Sequence, residues 1–258
     1  VLAGKRGAHD ELAESRGASH RALLPVAGVP MLLRVLRCLR AAGFARVHVS
    51  IDAPERLDAL PELAAQRRAG ELIAHPSADS PSRSVAAVLA GDVIPCLVTT
   101  ADHALLTPAM VQHFLGAART ADADVLVGVV AAHVIQAAYP DTRRTYLRLR
   151  GGEAWSGANL FAFRTPEARR AADFYVRAER FRKQPWRLIG AVGPSLLALY
   201  ALGRLDLDAG LARASRAIGA RVRGVRMTQA EAAIDVDKEG DLILAERILL
   251  ERERSAAG

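Results

Sequence analysis

The stretch that most constrains this chain lies at its start. The apolar segment Val1-Leu2-Ala3 runs straight into Gly4-Lys5-Arg6-Gly7, and Arg21-Ala22-Leu23-Leu24 later leads into Pro25-Val26-Ala27-Gly28-Val29-Pro30. A strand that empties into a glycine-bearing turn with two cations, with a further cation ahead of a Pro-x-x-Gly-x-Pro elbow, suits a phosphate grip. Backbone N–H groups reach phosphate oxygens only where side chains are absent, and Gly4 and Gly7 leave that room. Pro30 fixes φ at the start of a helix in which Met31, Leu32, Val35, Leu36 and Leu39 recur at helical spacing.

Beyond this opening, β-branched runs alternate with helical patterns, the rhythm of a parallel sheet with crossovers. Strands are expected at 46–52, 72–74, 96–102 and 125–130, and helices at 57–68, 82–90 and 109–118, the last opened by Pro108 with Thr107 as N-cap. The second half is less regular. Residues 145–150 alternate like a strand, Gly151-Gly152 turns the chain, and 159–163 is extended again. From 166 to 217 the pattern is helical with breaks at Pro185, Gly193-Pro194 and Gly203, followed by a strand at 222–227 and a helix at 240–254. One domain over 1–254 is expected, with 166–217 a helical excursion for acceptor binding or oligomer contact.

Asp102 ends an apolar run, and an acid at the carboxyl end of a central strand points into the crevice where α/β sheets bind ligands. Thr107 and Pro108 already supply the next helix cap, so Asp102 is not needed for it. Near the other end, Asp235 and Asp237 alternate along an extended segment and would share a face, while Glu239 and Asp241 suit the positive end of the following helix. Two aspartates from distant segments suit Mg²⁺, which takes few protein oxygens plus phosphates and waters.

Taken together, Leu2, Ala3, Gly4, Gly7, the elbow, the stretch Thr100 to Thr107 and the Asp235-Val236-Asp237 segment resemble the sugar-phosphate and molybdenum-cofactor nucleotidyltransferase superfamily, the MobA-like NTP transferases. Lys5 stands where a second glycine is common there and Arg21 where a lysine is usual. The resemblance implies a Rossmann-like three-layer α/β/α fold of the glycosyltransferase-A type, with a mixed, mostly parallel central sheet. It implies Mg²⁺ on Asp102 and Asp237, with Asp235 as alternative or orienting residue, and catalytic charge from Arg21, Lys5 and Arg6. It implies nucleotide contacts from Leu2, Ala3, Gly4, Gly7, Ser82, Ser84 and Asp102, and acceptor contacts from Gly157 and Asn159. Of the basic clusters at Arg143-Arg144 and at 180–187, which includes Lys183, one is expected to face an acceptor phosphate. Lysine at position 21 would be expected to keep much of the activity. The implied reaction transfers a nucleoside monophosphate from CTP, UTP or GTP, leaning to CTP, to a sugar, polyol or cofactor phosphate. A nucleotide-sugar glycosyltransferase using Asp235-Val236-Asp237, or a non-catalytic nucleotide-binding protein, are the alternatives.

Composition narrows the partners. The net charge of +7 invites a polyanion, but arginines are spread along the chain among acids, and there is no RNA-binding aromatic signature, zinc spacing or helix-turn-helix pattern. Nucleic acid is therefore not expected. Phe181 and Trp186 within the basic 180–187 stretch leave room for contact with a membrane surface or a lipid-like acceptor. No apolar run reaches a membrane span. Cys38 and Cys96 stand apart in apolar company and read as inert thiols of a reducing compartment, so a cytoplasmic monomer or homodimer without a leader segment is expected. The seven histidines show no metal-ligand spacing, and His103 beside Asp102 could touch phosphate or water.

Overall fold

The computed structural model describes residues 1–4, 10–91, 93–178 and 192–257. They divide into two compact units that the chain visits in turn: Val1–Ser84, Thr99–Gln112 and Ile234–Gly258 form one, Val85–Val98 and His113–Ala233 the other. Nine strands occur among the described residues: β1 (Pro25–Val26), β2 (Val29–Pro30), β3 (Val47–Ile51), β4 (Leu72–Pro76), β5 (Cys96–Val98), β6 (Val125–Ala131), β7 (Leu147–Arg148), β8 (Ala154–Phe163) and β9 (Val222–Met227).

In the first unit the opening segment is inserted between two neighbours. On one side Leu2 N–H donates to Thr99 O (2.9 Å) and Ala101 N–H to Leu2 O (2.8 Å); on the other, Ala3 N–H donates to Ser50 O (2.8 Å) and Ser50 N–H to Val1 O (2.9 Å). Both bridges are parallel, and β3 pairs in parallel with β4. Residues 99–101, 1–3, β3 and β4 thus run side by side in one direction, so Gly4, Asp52, Ser77 and Asp102 all leave the sheet at the same edge. The Pro25–Pro30 elbow is the antiparallel hairpin β1–β2. Ala27 and Gly28 both have positive φ (46° and 74°), as a two-residue turn matching strand twist requires. Arg34, on the helix Met31–Ala41, donates to Val26 O (2.9 Å) and Ala27 O (3.0 Å) and holds that turn. Met31, Leu32, Val35, Leu36 and Leu39 are buried, as their spacing predicts.

In the second unit β8 is the hub. It pairs antiparallel with β5, β6 and β7, while β6 and β9 are parallel, so the sheet is mixed. The strand expected at 145–150 shrinks to β7, because a 3₁₀ turn over Arg150–Gly152 claims its end. The extended segment expected from 159 instead begins at Ala154. The β6–β8 register shifts between Val127 and Val129, and Asn159 sits in that irregularity with φ 48°. A core of Leu89, Val125, Phe163, Ala168, Ala172 and Val222 packs around this sheet, and a second forms around Val129, Leu149, Leu196, Leu205 and Leu207.

The excursion contains helices Ala168–Ala178, Pro194–Ala201 and Leu207–Ile218, broken at Gly193 and Gly203 as expected, while Pro185 lies outside the described residues. Asp124 pins the starts of β6 and β9 together: it accepts from Arg221 N–H (2.7 Å), from the Arg221 guanidinium (2.9 Å) and from Thr165 Oγ1 (2.9 Å). Among the described residues no helix is long and apolar enough to cross a membrane.

Candidate active site

Asp102 follows the parallel segment 99–101 and is buried at 8% exposure. The segment carrying Asp235 and Asp237 is tied to it, since Val236 N–H donates to Asp102 O (3.0 Å). Ile234 and Val236 are fully buried, and the alternation turns Asp235 and Asp237 the other way. Asp237 N–H donates to Asp241 Oδ2 (3.3 Å). Asp241, expected only to complement the helix dipole, is in fact buried at 4% exposure and holds the segment at the start of the helix Glu239–Ala257. Asp102, Asp235 and Asp237 each present a carboxylate oxygen, all within 4.8 Å of one another. Sequence alternation and strand-end placement therefore bring together the three acids expected to hold a cation. Three hard oxygen donors this close suit a small divalent cation that completes its coordination with phosphate and water, so the donor set fits Mg²⁺.

Arg21 stands beside them. Its Nε donates to Asp10 Oδ2 (2.6 Å) and its Nη2 to Asp10 Oδ1 (3.0 Å), a two-point fork. The remaining Nη1 donates to Asp237 O (3.0 Å) and Val236 O (3.4 Å), and reaches Asp237 Oδ1 only at 3.5 Å. Burial alone would push the Asp10 carboxyl up, but the Arg21 hydrogen bonds and charge, with the Ala13 N–H, hold it below the usual carboxylate range. The turn bearing Arg21 is fixed from behind: Ala22 N–H donates to His20 Nδ1 (3.1 Å), so the buried ring offers Nε2–H to Asp52 Oδ1 at 2.7 Å. Asp10 and the His20–Asp52 pair were not singled out in the sequence. A ten-residue gap hides the first, and Asp52 meets His20 only because β3 ends at this edge.

A cavity opens at the same edge, walled by Leu2, Gly4, Ser50, Ser84, Thr100 and Asp102 among others. A Cβ on Gly4 would lie 3.0 Å from Ser77 Cβ, so any side chain there would crowd Ser77 and narrow the cavity. The Ser50 Oγ and Thr100 Oγ1 hydroxyls are buried with no hydrogen-bond partner among the described residues, and buried hydroxyls left this way suit a ligand's polar groups. Ser84 lines the cavity while its Oγ accepts from Ala78 N–H (2.9 Å). Ser82 is buried and turned to Ser80 Oγ (3.2 Å). The helix Pro81–Leu89 is capped by Ser80, whose Oγ accepts from Arg83 N–H (3.3 Å). Ala3 is core, at 5% exposure, and serves through its backbone.

Gly157 and Asn159 on β8, Arg143 (exposed) and Arg144 (half-buried) belong to the second unit. Lys5, Arg6, Gly7 and Lys183 lie outside the described residues. His103 is buried at 1% exposure, its Nδ1 at 3.5 Å from Thr99 Oγ1, so it packs rather than lining the cavity. Burial pushes the Cys38 thiol up to about 12 and the Cys96 thiol to about 11, so both stay protonated and inert near neutrality.

Parallel segments that end at Gly4 and beside an aspartate cluster on one edge are the arrangement of a phosphate-handling α/β fold. The chain belongs to the MobA-like NTP transferase family, whose sequence profile matches residues 1–217. It is similar over 93% of its length, at 31% identity and a TM-score of 0.74, to a hypothetical transferase from Thermus thermophilus, covering 96% of that chain. It is also similar to a CMP:2-keto-3-deoxy-manno-octonic acid synthetase complexed with CTP (18% identity, TM-score 0.57, 98% of each chain). A third similar structure is a 4-diphosphocytidyl-2C-methyl-D-erythritol synthase from Anaerococcus prevotii (11% identity, TM-score 0.53, 90% of this chain and 94% of that one). The fold is thus the Rossmann-like α/β fold of nucleotidyltransferases, as expected. No curated protein matches the sequence.

Proposed function

We propose that this chain is a Mg²⁺-dependent nucleotidyltransferase that joins a nucleoside monophosphate, from CTP in preference to UTP or GTP, to a phosphorylated small acceptor. An acceptor phosphate oxygen attacks the α-phosphorus, the bond between that phosphorus and the bridging oxygen to the β-phosphate breaks, and pyrophosphate leaves with the electron pair. The observation that carries this reading is the convergence of Asp102, Asp235 and Asp237 within 4.8 Å at the edge that also holds Gly4. When bound there, Mg²⁺ would neutralise triphosphate charge and orient the phosphates.

The chain's own residues do the rest of the work. Gly4 lets backbone approach the phosphates, and Lys5 and Arg6, next in the chain, are assigned the role of adding positive charge. Ser50, Ser84 and Thr100 offer hydroxyls to the nucleoside. Gly157 and Asn159, with Arg143, Arg144 and Lys183, are assigned to the acceptor, a sugar, polyol or cofactor phosphate. Such transfers need no covalent enzyme intermediate; positioning and charge neutralisation supply the rate. The lean to CTP is supported by the two similar structures whose names carry CTP or a cytidylyl product.

Pyrophosphate release from CTP, UTP and GTP, each with a panel of sugar, polyol and cofactor phosphates and with or without Mg²⁺, tests the reading. Release that requires both acceptor and Mg²⁺, fastest with CTP, is expected. Triphosphate binding with no release for any acceptor would leave a nucleotide-binding protein instead, and transfer of a sugar from a nucleotide sugar would make it a glycosyltransferase.

A further inference from the structure

Arg21 does not meet the acid cluster as a bare cation. Its shortest bond, 2.6 Å, and a second at 3.0 Å go to Asp10, and another at 3.0 Å goes to the main-chain oxygen of Asp237, not to the carboxylate. The Asp237 carboxylate is grazed at 3.5 Å. A guanidinium left with a single carboxylate neighbour turns to it two-pronged, because that geometry is the strongest open to it. Here Asp10 occupies that face. Its own carboxylate is held in place twice, since Oδ1 also accepts from Ala13 N–H (3.1 Å) at the start of the helix Glu11–Ser15. Its side chain is only 9% exposed and that of Arg21 19%, whereas Asp237 is 36% exposed. The partly buried pair is screened less by water than Asp237 is.

From this we infer that Asp10 is a positioning residue: it takes the fork of Arg21, so that Arg21 anchors the backbone of the 236–237 segment and does not fork onto the Asp237 carboxylate, the proposed cation ligand. The inference rests on the cation-dependent reading proposed above. Removing the charge of Asp10 would free the guanidinium to swing onto Asp237, where it competes with the metal. Arg21, expected to grip phosphate, thereby also sets the geometry of a metal ligand. Partners behind a ligand that tune it in this way typically change metal affinity by 10–100-fold when lost.

Direct Mn²⁺ titration of the full chain, followed by the paramagnetic resonance of free Mn²⁺, tests the inference without needing turnover. Asp10→Asn is the chosen variant because asparagine keeps the helix cap and the side-chain shape while losing the charge. Thermal melts matching wild type confirm that the cap survives. Asp10→Asn is expected to weaken Mn²⁺ binding by about tenfold. In an Arg21→Ala background the same change is expected to alter Mn²⁺ affinity by less than about twofold, since Asp10 acts through Arg21. An unchanged affinity in Asp10→Asn, or an equal loss with and without Arg21, would overturn the assignment. Asp102→Asn keeps the two readings apart. If it abolishes Mn²⁺ binding while Asp10→Asn does not weaken it, only the role of Asp10 falls; if it leaves Mn²⁺ binding intact, the cation site itself falls, and the role of Asp10 with it.

Discussion

Lysine is the substitution that separates charge from geometry at position 21. Sequence resemblance favours lysine there and so predicts tolerance, but the structure gives Arg21 five donor contacts shared between Asp10 and the 236–237 segment. One ammonium cannot span both partners. Arg21→Lys is therefore expected to lower kcat/KM for nucleotidyl transfer by about tenfold or more, the loss of a hydrogen bond between charged groups; steady-state kinetics giving wild-type values would make charge alone sufficient. Asp102→Asn and Asp237→Asn are each expected to remove Mg²⁺-dependent turnover, by about 100-fold or more, while circular dichroism stays native. Loss in Asp235→Asn with full activity in Asp237→Asn would move the ligand role to Asp235. The three acids were legible because strand-end position and alternation are local properties of the chain. Asp10 and the His20–Asp52 pair were not, because their partners lie 11 and 32 residues away and only pairing of the opening segment with β3 brings them to one edge.

At the scale of elements, local runs of apolar residues named most strands and helices correctly, and direction was the part that did not show. Nothing in the composition of 154–163 distinguishes an antiparallel hub from a parallel strand; its partners decide that. The register shift opposite Gly128 is equally non-local. A Cβ at Gly128 would lie 3.1 Å from Ala158 Cβ and 3.2 Å from Leu160 Cβ, both of them fully buried. Gly128→Ala is expected to cost about 1–3 kcal/mol by overpacking, read as a lowered denaturant midpoint.

Asp124 carries the pH dependence of the same sheet. The Arg221 hydrogen bonds hold its carboxyl well below the ordinary value of 3.8, against the opposing effect of burial. A depressed folded-state pKa contributes stability that is full above the unfolded value and is lost as pH falls through the folded one. Stability of the wild type should therefore fall as pH drops below about 4, whereas Asp124→Asn should be weaker by about 2–3 kcal/mol at pH 7 and lose less on acidification. Parallel melting curves for the two proteins from pH 7 to pH 2 would refute this role.

For the whole molecule, the limits of the family profile and of the structural unit do not coincide. The profile ends at 217, yet the first unit takes in Ile234–Gly258, which brings Asp235 and Asp237 as well as the buried Ile234, Val236, Leu242, Ala245, Ile248 and Leu249. Burial of a large aliphatic side chain is worth roughly 1.5–3 kcal/mol, so five of them supply roughly 10 kcal/mol, as much as a typical domain's whole stability of about 5–15 kcal/mol. A chain ending at 233 is therefore expected to lose more than the proposed metal ligands. Its first unit should no longer be protected in amide hydrogen exchange, including at β3 and β4, which lie far from the cut in sequence. Native protection of Val47–Ile51 in the shortened chain, with only Mn²⁺ binding gone, would show instead that the last segment completes the site without holding up the sheet.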